Sequence, residues 1–244
     1  MIIFDGKSDI MKRILHLISL LGVLAVLASC SAQKAASLKT VAILGDSYST
    51  FAGYIPEGNA IWYSSTPNGR NDLTSVDQTW WKQFCEDGGY ELLINDSYSG
   101  STICNTGYGG ADYTDRSFIT RVPRSVSGKP DMLLIFGATN DSWANAPVGE
   151  LQYSGWTMED LYKCLPAYCY LLDWLKTNVP DTLPVCIINS ELKYEVVAGI
   201  MEACRHYDVP YLLLKDIDKL DGHPSIKGMA QINEQVTAFV RELR

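Results

Sequence analysis

Residues 40–49 read TVAILGDSYS. The run TVAIL is short, apolar and β-branched, which suits a strand buried on both faces of a parallel sheet. Gly45-Asp46-Ser47 ends it. A serine on a tight turn at the C-terminal end of such a strand stands at the edge where open α/β sheets take their ligands. Gly45 permits the turn, and Asp46 is expected to cap it. The plain alternative for the triplet is an ordinary strand-to-helix turn capped by Asp or Ser.

Outward from this stretch, strands alternate with helices. Residues 48–78 are rich in Gly, Pro, Ser, Asn and aromatics without periodicity and read as a long functional loop. The pattern predicts a helix over 79–87, a strand over 91–95, a Gly- and Tyr-rich excursion over 98–130 and a strand over 131–136 (DMLLIF). Thr157 and Asp160 have the spacing of a helix N-cap and its N3 acid. That helix is expected to reach residue 178, with a kink at Pro166. A strand follows over 183–188, a helix over 191–206 and a strand over 211–214. A last helix over 226–243 places Ile226, Met229, Ile232, Val236, Phe239, Val240 and Leu243 on one face. This alternation predicts an α/β fold: a central five-stranded parallel sheet with helices on both sides, in one domain over 39–244.

The N-terminus is of another kind. Lys12 and Arg13 precede residues 14–28, which are apolar except for His16 and Ser19. That run is too short for a comfortable membrane span and suits a signal-peptide core. It ends Leu27-Ala28-Ser29-Cys30, which resembles a bacterial lipobox. Residues 1–29 are therefore read as a lipoprotein signal peptide, Cys30 as the lipidated first residue, and 30–38 as a tether. The alternative is an ordinary signal peptide with an incidental cysteine. The expected location is the bacterial cell envelope, on the periplasmic or surface side of a membrane held through Cys30. From residue 30 onward the chain carries 17 basic and 26 acidic side chains. That balance argues against a nucleic-acid partner, which requires clustered Lys and Arg. Cys85, Cys104, Cys164, Cys169, Cys186 and Cys204 match no zinc spacing. Most are expected to be buried free thiols, although one disulfide is permitted outside the cytoplasm.

Candidate chemistry lies just beyond the strands. His16 belongs to the leader, and His206 sits at a helix end, where it suits the dipole. His223, in Asp221-Gly222-His223-Pro224, precedes the last helix, and a serine nucleophile needs a base near neutral pKa. Asn140, in Gly137-Ala138-Thr139-Asn140-Asp141, can aim a side-chain N–H at a developing oxyanion. Gly100, in Ser97-Tyr98-Ser99-Gly100-Ser101, can offer a backbone N–H at close approach. Each piece alone also reads as a strand-end turn or a cap.

In order, the four pieces resemble the sequence blocks of the SGNH (GDSL) hydrolase family: GDS, a Gly, an Asn-Asp motif and a C-terminal His-Pro. The resemblance spans about residues 40–240 and implies a flavodoxin-like three-layer fold and ester hydrolysis without metal or other cofactor. It implies Ser47 as nucleophile, His223 as base, and the Ser47 N–H, the Gly100 N–H and the Asn140 side chain as oxyanion donors. Two departures stand out. The family's acid lies three residues before the His, where this chain has Leu220. Asp221 is the expected replacement, with Asp218, Asp216 or a backbone carbonyl as alternatives. The family's Gly two residues before the Asn is Ala138.

Phe51, Tyr54, Trp62, Tyr63, Tyr108, Tyr113, Trp143 and Trp156 populate the excursions. Aromatic faces suit stacking on sugar rings, so the expected substrate is a small acyl ester, above all an acetyl ester, on a carbohydrate. The plain alternative is that these rings pack the loops. Two other functions stay open: a lysophospholipase or thioesterase-type acylhydrolase, and a non-catalytic glycan-binding lipoprotein on the same fold.

Overall fold

The computed structural model describes residues 38–66 and 69–243. The expected signal peptide and Cys30 lie outside the described residues. Five strands form the central sheet: β1 (Thr40–Gly45), β2 (Glu91–Ser97), β3 (Met132–Gly137), β4 (Leu183–Ile188) and β5 (Tyr211–Leu213). Their order is β2-β1-β3-β4-β5, and every neighbouring pair is parallel. This is the expected α/β architecture. The chain leaves β1 for β2 on one side and then crosses to β3 on the other. The C-terminal ends of these three strands therefore flank the switch point where such sheets bind ligands.

Parallel sheets are buried on both faces, and the residues show it. Val41, Ala42, Ile43 and Leu44 of β1 are fully buried, as is nearly all of β3. Ala42, Leu44, Leu133, Ile135, Cys186 and Ile188 point to one face. There they pack against α2 (Phe118–Ser125), α4 (Cys164–Asn178) and α5 (Tyr194–His206). On the other face, Trp80 of α1 (Trp80–Gly88) meets Phe136 edge-on at 5.7 Å. The last helix, α6 (Ile226–Glu242), is tied to α1 by Asn233 Nδ2 donating to Asp87 Oδ2 at 2.8 Å. All six described cysteines are buried and free, so no disulfide forms among them.

Three local elements differ from the sequence-based expectation. Helix α2 sits inside the stretch read as an open excursion. Pro123 argues against a helix there, yet Phe118, Ile119 and Val122 bury one side of it while Pro123 faces solvent. Tertiary burial outweighs intrinsic propensity. The Thr157–Asp160 pair does bond reciprocally, with Thr157 N donating to Asp160 Oδ2 at 3.0 Å and Asp160 N donating to Thr157 Oγ1 at 3.3 Å. It caps no helix: only a 3-10 turn follows, Asp160–Tyr162, whose N-cap is Glu159; Lys163 is extended, and α4 starts afresh at Cys164. Pro166 then lies in the first turn of α4, where its missing N–H costs nothing. Finally, β6 (Lys219–Leu220) and β7 (His223–Pro224) form a small antiparallel hairpin that carries His223.

Candidate active site

The Ser47 arm is built from the ends of β1 and β2. Ser47 opens a 3-10 turn, Ser47–Ser49, and Asp46 caps it as expected, its Oδ1 accepting from Tyr48 N at 3.0 Å. A Cβ on Gly45 would stand 2.4 Å from Ser97 Oγ and 2.8 Å from Ser49 Cβ. Gly45 is thus required by close approach of neighbouring side chains. The second Asp46 oxygen is buried without a hydrogen-bond partner, and burial pushes this carboxyl up to about 7.

Beneath the turn lies a buried arginine that sequence reasoning missed. Arg121 of α2 donates through Nη2 to Gly45 O at 3.1 Å and to Ser101 Oγ at 2.9 Å, and through Nη1 to the Asp96 carbonyl. One guanidinium therefore ties β1, β2 and the Gly100 loop together. Burial alone would raise the Asp96 carboxyl. The Arg124 hydrogen bonds and the charges of Arg121 and Arg124 instead hold it below the ordinary carboxylate value.

The donor arm comes from the ends of β2 and β3. Asn140 lies in the short helix α3 (Thr139–Trp143) and is buried. Its Nδ2 donates to Ser101 O at 3.0 Å, and its Oδ1 accepts from Tyr108 OH at 2.7 Å. Two bonds fix the amide plane and leave one Nδ2 hydrogen to offer. Gly100 has φ +84°, and its N–H has no backbone acceptor among the described residues. Ser47 N–H is the first of its turn, a position that helix geometry leaves without an intrahelical partner. Asp141 accepts from Ile103 N at 2.8 Å and Cys104 N at 3.2 Å, which clamps the loop after Gly100 onto α3. Ala138 adopts φ 69°, the left-handed conformation that glycine takes without cost.

The His223 arm is the β6–β7 hairpin. Leu220 pairs with His223, and the two residues between them, Asp221 and Gly222, have φ 50° and 74°. Two consecutive positive φ values mark a primed turn, the type that Asp-Gly favours. The hairpin is pinned on both sides of His223. Tyr48 OH donates to Gly222 O at 2.6 Å and Tyr63 OH donates to Pro224 O at 2.8 Å. His223 Nε2 lies 2.9 Å from Ser47 Oγ, and Nδ1 lies 3.1 Å from Asp221 O. A carbonyl only accepts, so Nδ1 carries the proton and Nε2 is left to accept from the Ser47 hydroxyl.

The expected role of the Asp221 carboxylate is corrected here. The tight turn brings the Asp221 carbonyl to the imidazole and sends the side chain outward, where Oδ2 accepts from Arg70 Nε at 2.6 Å. Neither alternative acid replaces it. The Asp218 carboxylate accepts from Ser225 Oγ, which in turn caps α6 by accepting from Gly228 N at 3.1 Å. Asp216 is exposed on the approach to β6, and no hydrogen bond joins it to His223 among the described residues. Burial pushes the His223 imidazole down to about 4.

Aromatic rings enclose His223. Trp62 stacks on His223 with centroids 3.6 Å apart and planes at 11°, and Trp143 approaches it edge-on at 5.6 Å. Trp143 is 40% exposed and Tyr108 41%. The other expected sugar platforms do other work. Phe51 and Tyr63 are core residues, Tyr113 lies under the Arg116 guanidinium, and Trp156 packs on Tyr170. Tyr54 contacts Phe51 and Trp81.

The structure thus brings Ser47, His223, Asn140 and the Gly100 loop to one edge of the sheet. A hydroxyl facing a neutral imidazole, with fixed N–H donors close by, is an arrangement able to attack a carbonyl carbon. Residues 39–240 match the family model described as GDSL-like lipase/acylhydrolase. The chain belongs to this family, the SGNH/GDSL hydrolases. A Bacteroides ovatus protein described as a GDSL-like lipase is 52% identical, with a TM-score of 0.82 over 84% of this chain and 99% of that one. A Bacteroides uniformis protein of the same description is 52% identical, with a TM-score of 0.81 over 84% and 96% of the two chains. A carbohydrate acetylesterase family member from Sinorhizobium meliloti shares the fold at 12% identity, with a TM-score of 0.57 over 84% and 98%. No curated protein matches the chain.

Proposed function

We propose that the protein is a serine esterase that removes small acyl groups, acetyl above all, from carbohydrate, through an acyl-enzyme on Ser47. The observation that carries this reading is the 2.9 Å contact between Ser47 Oγ and His223 Nε2, with Nδ1 committed to a carbonyl. His223 accepts the Ser47 proton as Oγ bonds to the ester carbon. Ser47 N–H, Gly100 N–H and the free Nδ2 hydrogen of Asn140 receive the oxyanion. Each such donor contributes about 3 kcal/mol or more. The imidazolium then protonates the leaving alcohol, and water attacks the acyl-enzyme by the reverse route. The half-exposed Trp143 and Tyr108 rings at the site favour a sugar as the alcohol, since flat aromatic faces suit pyranose rings. Anchoring through Cys30 would hold the enzyme where such glycans arrive.

The test is direct. Wild-type protein should hydrolyse p-nitrophenyl acetate faster than the octanoate and release acetate from acetylated oligosaccharides. Ser47→Ala should lower turnover by about 10⁴-fold or more and lose labelling by a fluorophosphonate. Retained turnover in this variant would refute the reading. A preference for the octanoate would replace the small acyl group with a lipid-like one.

A further inference from the structure

His223 faces a problem that its geometry makes explicit. When it takes the Ser47 proton it becomes a cation inside a largely buried pocket. In serine hydrolases a carboxylate on the far nitrogen stabilises that charge. Here a neutral carbonyl occupies the position at 3.1 Å. The charged groups around the ring offer no surplus negative charge. From the turn, Asp221 is paired with Arg70 at 2.6 Å; from β6, Lys219 is paired with Glu191 at 2.7 Å. Arg70 and Lys219 both disfavour a charged imidazole, and Asp221 favours it.

What does face the ring is indole. The imidazole lies flat on Trp62 at 3.6 Å. The Arg70 guanidinium lies over the same indole, 4.5 Å from its centroid. Indole is the best of the aromatic faces for a cation, and the attraction grows when water is excluded.

We propose that Trp62 is a positioning residue that supplies, through its π face, the stabilisation of the His223 imidazolium that no carboxylate supplies here. The two tasks of an orienting acid are thereby divided. The Asp221 carbonyl sets the tautomer, and Trp62 holds the ring plane and the charge. The proton balance is that of the esterase reading, on which this inference rests. The proton leaves Ser47 for Nε2 as the Oγ electron pair forms the bond to carbon. It leaves Nε2 for the alcohol oxygen as the ester C–O bond breaks. Trp62 exchanges no proton and touches neither bond.

Two variants of similar size separate charge stabilisation from bulk: Trp62→Leu has no π face, and Trp62→Phe has a weaker one than indole. With p-nitrophenyl acetate as probe, Trp62→Leu should lower kcat by about tenfold. Trp62→Phe should recover part of that loss, and KM should stay within about twofold in both. In the phosphonate adduct of Ser47, the His223 ring signal in NMR should titrate about one pH unit lower in Trp62→Leu than in wild type. A Trp62→Leu enzyme with wild-type kcat and an unmoved adduct titration would overturn the inference. So would a loss confined to KM, which would make Trp62 a substrate contact. Failure of the esterase reading is seen separately, as turnover that survives in Ser47→Ala.

Discussion

The two halves of the site are held in opposite ways. Ser47, Gly100 and Asn140 sit just beyond the ends of three adjacent strands, laced together by Arg121, Asp141 and Tyr108. His223 follows a two-residue turn outside the main sheet, its hairpin held by two tyrosine hydroxyls and its ring by one carbonyl and a stacked indole. On one side hydrogen bonds and charge fix the geometry; on the other, a few hydrogen bonds to a hairpin share the task with ring packing. A reactive pair can therefore be assembled from one part that the sheet dictates and one that only tertiary contact dictates.

The largest expected effect breaks the hydrogen-bonded half. Asn140→Ala removes one oxyanion donor and should lower kcat by about 10²–10³-fold, measured with p-nitrophenyl acetate. The second comes from the packed half. The base is neutral above its pKa and lost below it, and burial sets the His223 value at about 4. Activity should then persist at pH 5, where an unperturbed imidazole would have lost about thirtyfold. The kcat/KM profile should bend near pH 4. A bend near 6.5 would show that the pocket admits more water than the geometry suggests.

Tyr108→Phe sharpens the hydrogen-bonded half without removing a donor. It frees the Asn140 amide to rotate and should lower kcat by about fivefold to tenfold, with little change in the melting temperature. The smallest effect separates backbone from side chain. Asp221→Asn keeps the turn, since Asn also tolerates positive φ, and keeps the carbonyl on Nδ1. It should lower kcat by no more than about threefold, because the exposed carboxylate acts only at a distance and through solvent. A hundredfold loss would return the acid's role to the carboxylate.

How much of this was legible follows the same division. The strand ends were readable because apolar runs of fixed length end in Gly-Asp-Ser and Gly-Ala-Thr-Asn, and a parallel sheet puts such ends on one edge. His223 was readable as a residue type before a helix. Its support was not. The Asp-Gly pair between Leu220 and His223 is a hairpin signal, but flanking strands of two residues, one containing Pro224, are too short to show alternation. The displacement of the Asp221 carboxylate follows from that turn alone. Arg121 carries no local signal either. A buried arginine in a proline-containing stretch is explained only by the Gly45, Asp96 and Ser101 oxygens that meet it in space. Trp62 and Tyr108 are legible as aromatic, but sequence pattern does not distinguish a sugar platform from a clamp on His223 and Asn140.

The six sealed cysteines have a practical consequence. Each is buried and unpaired, and burial raises the thiols of Cys85, Cys104, Cys164 and Cys169, so little thiolate is exposed to an oxidant while the fold is closed. Among the described residues no thiol is open to an alkylating dye while the fold is intact, and opening the fold exposes all six. The chain thus carries its own alarm for loss of structure. In an oxidising surrounding, that alarm also works as a trap, because thiols released together can cross-link before the sheet re-forms.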